Sequence, residues 1–285
     1  MCELAMFKEW MKIRNQLNEG IDDFFLQTWR TVYDFFIATG TTVLFFVQAM
    51  QLAFVKPRRF GEFIKHMEFI GNESILIIVL TGAFTGMALS YQIFLGFSLV
   101  NATNLVSPTV ALGISRELGP VLTGLIVAAR AGGAMAARIG TMRVSEQIDA
   151  LEVMGINPIQ YLVSPRILAA VVAMPLLCGV FDFVAMVGAY LLCVKVLGLD
   201  HAIFFDKIQG WLHPRDINEG LIKSAVFGMI FAVVCTYRGY STKGGAKGVG
   251  EATNSGVVYS MVLIIVTNFF LTNVIRFYYK VIGIS

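Results

Sequence analysis

Five stretches of this 285-residue chain are long and apolar enough to cross a lipid bilayer, at about 74–99, 106–136, 167–197, 217–237 and 257–278. A hydrocarbon core about 30 Å thick takes roughly 20 apolar residues of helix to cross. Inside it every peptide group must find its partner within the protein, and a helix satisfies that need segment by segment. The expected fold is therefore all-α: a polytopic membrane protein with five transmembrane helices. Composition agrees, with 56% hydrophobic residues and 14% charged, against about 25% charged in an ordinary soluble domain. A sixth stretch, 35–55, is apolar but carries Thr39, Gly40, Thr41, Thr42, Gln48 and Gln51. It suits either a further span or an amphipathic helix lying in the interface. The first 34 residues form a polar, amphipathic segment without the charged-then-apolar order of a cleaved signal, so the mature chain is expected to start near Met1.

The basic residues orient the set. Lys56, Arg58, Arg59 and Lys65 precede the first span, and the link to the second has no Lys or Arg. Arg130, Arg138, Arg143 and Arg166 fall around the second link, and Arg238, Lys243 and Lys247 crowd the fourth. The third link holds Lys207 and Arg215, diluted by Asp200, Asp206 and Asp216. By the positive-inside rule the second and fourth links are cytoplasmic and the C-terminus lies outside. An interfacial 35–55 leaves the N-terminus in the cytoplasm. The net charge of +3 is small and scattered, which excludes the clustered basic face of a nucleic-acid binder.

Enzyme signatures are missing. No HExxH, GxSxG or phosphate-binding P-loop occurs, and His66, His201 and His213 stand apart. The loop Gly244-Gly-Ala-Lys-Gly-Val-Gly250 has glycines but no Lys-Ser/Thr ending, so it reads as a flexible basic loop. No catalytic residue and no metal site is expected, and no cofactor held by this chain. Three of the four cysteines (Cys178, Cys193 and Cys235) lie in apolar blocks with neither disulfide-framework nor zinc spacing. Gly82 and Gly86 form a GxxxG pattern in the first span that admits a close neighbour. The second span ends in a run of small residues, Ala128 to Ala137, and Pro175 should kink the third.

Two features carry functional information. The second link, residues 145–154, reads as a short surface helix with Ser145 as N-cap and Glu146 in its first turn. Val144, Ile148, Leu151 and Met154 share one face, and Glu146, Asp149 and Glu152 decorate the rest. Helices that rest on lipid usually carry Lys and Arg. An acidic helix with an apolar stripe suits a protein groove better, and a separate ATPase is the natural owner of that groove. Charges within the spans come second: Arg116 and Glu117, Asp182, and Glu219 with Lys223 four residues on. Each is costly in hydrocarbon unless paired or wetted. Neighbours on a helix point about 100° apart, so one of Arg116 and Glu117 is expected to pair across to the fourth span, Glu117 with Lys223 being the simplest match. Asp182 and Glu219 read as structural.

The ordered runs Ser115-Arg-Glu-Leu-Gly-Pro-Val121, Ala128-Ala-Arg-Ala-Gly-Gly133, Arg143 to Pro158, Leu162-Val-Ser-Pro-Arg166, Leu221 to Phe227 and Tyr237-Arg-Gly-Tyr240 resemble the MlaE/YrbE family of Mce-associated permeases. The likeness covers about residue 35 to the end. It implies a permease subunit of an ATP-binding cassette lipid transporter in a bacterial inner membrane, working as a homodimer. It also implies a cytoplasmic ATPase that holds ATP and magnesium, a hexameric Mce-domain assembly in the periplasm and a phospholipid cargo. On the same basis 35–55 is interfacial and 145–154 is the coupling helix, with Ser145, Glu146, Ile148, Asp149, Leu151, Glu152 and Met154 meeting the ATPase. Arg116, Glu117 and Lys223 match the family's charged positions on the lipid path. Apolar walls for lipid tails fall to Phe84, Met87, Tyr91 and Phe94 on the first span and Val262, Ile265 and Phe269 on the fifth. The competing reading is an ion-coupled secondary transporter or channel that uses the intramembrane Arg, Glu and Lys; it predicts internal repeats, and the two halves show none.

Overall fold

The computed structural model describes Tyr33, Ile37, residues 39–53 and residues 60–282. The chain divides into two compact units, Met1–Val47 and Gln48–Ser285. The polar segment 1–34 lies outside the described residues except for Tyr33, as do parts of 35–55. The chain is helical over 39–53 (α1).

Seven helices follow. α2 is Phe60–Ser98 and α3 is Thr103–Val144, the latter opening with a 3₁₀ turn. The short α4, Gln147–Val153, precedes α5, Ile159–Val196. α6 is His201–Trp211, α7 is Pro214–Tyr240 and α8 is Gly245–Ile282. No strand occurs among the described residues. The five helices long and apolar enough to cross a membrane are α2, α3, α5, α7 and α8.

These helices outrun the apolar windows, mainly at the ends rich in arginine. α2 begins at Phe60, α3 continues to Val144, α5 begins at Ile159 and α8 at Gly245. At about 1.5 Å per residue α3 is roughly 63 Å long, about twice the hydrocarbon thickness. Hydropathy marks only the part that lies in lipid, whereas the hydrogen-bond ladder carries on through polar residues such as Arg138 and Arg143. α6 is a further addition, because its eleven residues are too polar and too short to register as a span. Asp200 caps it by accepting from the N–H groups of Ala202 and Ile203 at 2.7 and 3.2 Å. Tyr190, His201, Phe204 and Phe205 pack edge-on around its first turn.

α5 and α7 form the centre. α7 buries Phe227, Phe231, Ala232 and Cys235, and α5 buries Ile167, Met174, Cys178 and Phe181. The GxxxG of α2 serves α5: a Cβ on Gly86 would stand 1.9 Å from the carbonyl oxygen of Ala185, so only glycine allows this approach. Pro175 lies inside α5, and the helix continues through it. The small-residue run of α3 is tight packing, with Gly132 set against Cys235 and Phe231 of α7. Ser164 and Gln160 at the start of α5 donate to the carbonyls of Ala49 and Leu52.

Candidate functional site

α3 is not a uniform α-helix. Two π-helical turns interrupt it, at Ile114–Leu118 and Ala128–Gly132. Such turns leave backbone carbonyls open to other donors and recur at functional sites. The first of them holds Arg116 and Glu117, and a cluster assembles around it. Lys223 of α7 is completely buried. Its Nζ donates to the Arg116 carbonyl at 2.9 Å and lies 3.1 Å from Glu117 Oε1 and 2.8 Å from Glu219 Oε1. Glu117 also accepts from Asn268 Nδ2 at 2.9 Å and from Thr272 Oγ1 at 3.1 Å, both on α8. Arg116 reaches Asp216, one turn above Glu219, at 2.6 Å.

The expected Glu117–Lys223 contact is therefore present, but the expectation that only one of the adjacent pair reaches α7 is corrected. Both do. Asp216 and Lys223 stand seven residues apart on one face of α7, and the longer arginine takes the far partner while glutamate takes the near one. Asp216 has a second duty: its Oδ2 accepts the His213 N–H at 2.8 Å, closing a capping box at the start of α7. α7 comes close enough for these bonds because Gly220 faces the Ser115 carbonyl, where a Cβ would sit 2.1 Å from the oxygen.

Two cations thus meet three carboxylates. Lys223, Glu219 and Asp216 are almost sealed, at 0, 4 and 2% side-chain exposure, whereas Arg116 and Glu117 keep 30 and 36%. An ion in a low-dielectric interior is tolerated only when its partners are complete. The sealed members are the anchor, and the half-open Arg116–Glu117 edge is what a ligand can meet. Asp216, Asn268 and Thr272 escaped the sequence reading. A signal existed in the spacing of Asp216, Glu219 and Lys223, at i, i+3 and i+7 on one face, and of Asn268 and Thr272 at i and i+4. Tyr91 and Phe94 lie elsewhere on α2, exposed and half-buried respectively, and α2 supplies none of the cluster's hydrogen bonds. Asp182 also stands apart, with Oδ1 against Gly119 and Oδ2 3.8 Å from Cys178 Sγ. Among the described residues no group of His, Cys, Asp and Glu is arranged to hold a metal ion.

The second site is α4, at the other end of α7. The expected helix 145–154 is shorter, and Ser145 is not its N-cap. Ser145 closes α3 instead, with its Oγ donating to the Thr141 carbonyl at 2.8 Å. Glu146 occupies the cap position in the left-handed region, φ 59°. The chain reverses over these two residues, and the helix pattern at Ser145 belonged to the preceding helix. Ile148 is fully buried, Leu151 half-buried, and Val144 and Met154 exposed, so the apolar stripe is only partly covered. The acids are partly engaged within the chain. Asp149 pairs with Arg143 at 2.5 Å, and Glu152 accepts from Tyr240 Oη at 3.3 Å. Val153 and Met154, 89 and 64% exposed, form the tip.

A family model described as permease MlaE matches residues 63–274, which include every residue of the cluster and all of α4. The chain belongs to the MlaE permease family. The protein of Rickettsia prowazekii named "Probable ABC transporter permease protein" is 40% identical over 235 residues, 82% of this chain and 91% of that one. The chloroplastic protein trigalactosyldiacylglycerol 1 of Arabidopsis thaliana is 41% identical over 210 residues, 74% of this chain and 60% of its own. The intermembrane phospholipid transport system permease protein MlaE of Haemophilus influenzae is 33% identical over 249 residues, 85% and 94% of the two chains. As an MlaE-family member this chain is an ABC transporter permease, a membrane subunit with a non-catalytic role. In that frame the charged cluster and the α4 hairpin are two ends of one permease helix, α7.

Proposed function

We propose that this MlaE-family permease carries phospholipid between a bacterial inner membrane and a periplasmic Mce-domain hexamer, as a homodimer driven by a separate cytoplasmic ATPase. That ATPase holds the ATP and magnesium; this chain contributes the path and the docking helix. The arginine-rich links support an orientation with α4 and the N-terminus in the cytoplasm and the C-terminus in the periplasm. Helix 39–53 then lies in the interface. The cluster falls in the outer half of the bilayer, where the half-open Arg116–Glu117 edge offers a cation and an anion to a zwitterionic headgroup. Exposed apolar residues such as Phe84, Val262, Ile265 and Phe269 supply surface for the tails.

One observation carries the reading: a sealed ionic anchor with a partly open edge, set within apolar helices, at the far end of the helix from α4. In proteoliposomes containing the permease, its ATPase and its Mce partner, labelled phospholipid should transfer only with ATP. Glu117→Lys and Lys223→Glu should each abolish transfer, and the two together should restore part of it. Transfer that proceeds without the ATPase, or is indifferent to both substitutions, defeats the proposal.

A further inference from the structure

α4 has seven residues, far below the length at which a helix holds itself in water. Its position is imposed from outside, and the fixings are on both sides of it. Ile148 is fully buried and pins one face. Asp149 is held by Arg143 from the last turn of α3 at 2.5 Å. Glu152, one turn further, is held by Tyr240, the last residue of α7, at 3.3 Å. The Arg143 guanidinium also lies 5.8 Å from the centre of the Tyr240 ring, which closes the four residues into one unit. Gly239, beside Tyr240, seats the end of α7 on α3, where a Cβ would stand 2.7 Å from the Ala136 carbonyl.

Two routes lead from α4 to the charged cluster. Along α3 the path from Arg143 to Arg116 crosses the π turn Ala128–Gly132 and ends in the π turn Ile114–Leu118, where the regular ladder is broken. Along α7 the path from Tyr240 to Lys223 is an unbroken α-helix with no internal proline, about 25 Å at 1.5 Å per residue. The uninterrupted helix is the stiffer rod. Its far end carries Asp216, Glu219 and Lys223, the cluster's three sealed side chains.

We infer that Tyr240 and Arg143 are positioning residues: Tyr240 ties α4 to the end of α7 through Glu152, and Arg143 of α3 holds Asp149 and braces the Tyr240 ring, so that a push on α4 reaches the charged cluster along the unbroken α7 as well as along the interrupted α3. This rests on the reading that α4 receives the ATPase, and it adds what becomes of the movement. Asp149 and Glu152 then act inwardly as well as outwardly. The most exposed apolar residues left open to the ATPase are Val153 and Met154, at the tip.

The test uses the full permease–ATPase–Mce complex in proteoliposomes, with three readouts: ATPase co-purified, ATP hydrolysed and phospholipid transferred per ATP. Tyr240→Phe removes the hydroxyl and keeps the ring. It should leave co-purification and hydrolysis unchanged and lower transfer per ATP about three- to fivefold, the effect of losing one exposed hydrogen bond. Arg143→Gln should lower the same ratio, and it serves as the second removal if Tyr240→Phe fails to assemble. Glu152→Gln combined with Tyr240→Phe should be no worse than the more severe of the two singles. Transfer per ATP within twofold of the parent in both Tyr240→Phe and Arg143→Gln overturns the clasp, as does simple additivity in the pair. Val153→Asp with Met154→Glu tests the reading beneath. These should strip the ATPase from the complex. If the ATPase stays and transfer continues, the docking reading and the clasp fall together. If the ATPase is lost but Tyr240→Phe changes nothing, the clasp falls alone.

Discussion

The two ends of α7, outer and inner in the proposed orientation, use the same chemistry in opposite surroundings. At the outer end Lys223 and Glu219 pair at 2.8 Å with 0 and 4% of their side chains exposed. Beside the inner end, against Tyr240, Arg143 of α3 and Asp149 of α4 pair at 2.5 Å with 36 and 52% exposed. Distance says the inner pair is the stronger; burial says otherwise. In a dry interior an ion that loses its partner has no water to turn to, so breaking a sealed pair is severe. Where water reaches both groups the pair is worth about 0–1 kcal/mol. The outer end is thus a fixed anchor and the inner end an adjustable fastening. A transporter helix needs both if it is to move as a unit without shedding its buried charges.

The largest effect should come from removing the buried cation. Lys223→Met leaves Glu117 and Glu219 without their counter-charge and the Arg116 carbonyl without its donor. The cost should be about 3–5 kcal/mol, seen as a large fall in the thermal midpoint of the detergent-solubilised protein. Adding Glu219→Gln should recover part of it. An unchanged midpoint in Lys223→Met would mean that water reaches the cluster freely, and the contrast between the two ends would be lost.

Glycine packing sharpens the same contrast. A Cβ would stand 2.1 Å from the Ser115 carbonyl at Gly220 but 2.7 Å from the Ala136 carbonyl at Gly239. Both substitutions to alanine gain about 1 kcal/mol of helix propensity and both force backbones apart. Gly220→Ala should therefore destabilise by about 1–3 kcal/mol and Gly239→Ala by less. Midpoints in the reverse order would place the tighter seat at the inner end.

What the sequence made visible follows the same physical divide. The five spans were legible because hydrocarbon demands long apolar runs, and Glu117–Lys223 was legible because a buried charge demands an opposite one. The helix ends were not, since polar residues continue the α3 ladder to Val144 without an apolar mark. Nor were the π turns, which have no composition of their own, although one of them presents the Arg116 carbonyl to Lys223. Asp216 looked like a loop charge from its neighbours; only the fold places it beneath Arg116. Ser145 misled because an N-cap residue next to an acidic turn is a local pattern, whereas the capping register was decided by where α3 ends.

The smallest effects belong to the inner fastening, and salt separates it from the anchor. Arg143→Gln should lower stability by less than about 1 kcal/mol, a shift of a few degrees at most. Its exposed ion pair sits in water that salt can enter, and at 1 M the screening length is about 3 Å. The difference between parent and Arg143→Gln in transfer per ATP should therefore shrink as salt rises from about 0.05 to 1 M. The destabilisation by Lys223→Met should hold over the same range, because ions do not follow charges into a sealed site. Parallel titrations of the two variants settle the matter: a salt-insensitive Arg143 effect would make the inner end a second anchor, and α7 would then be pinned at both ends rather than held at one and steered from the other.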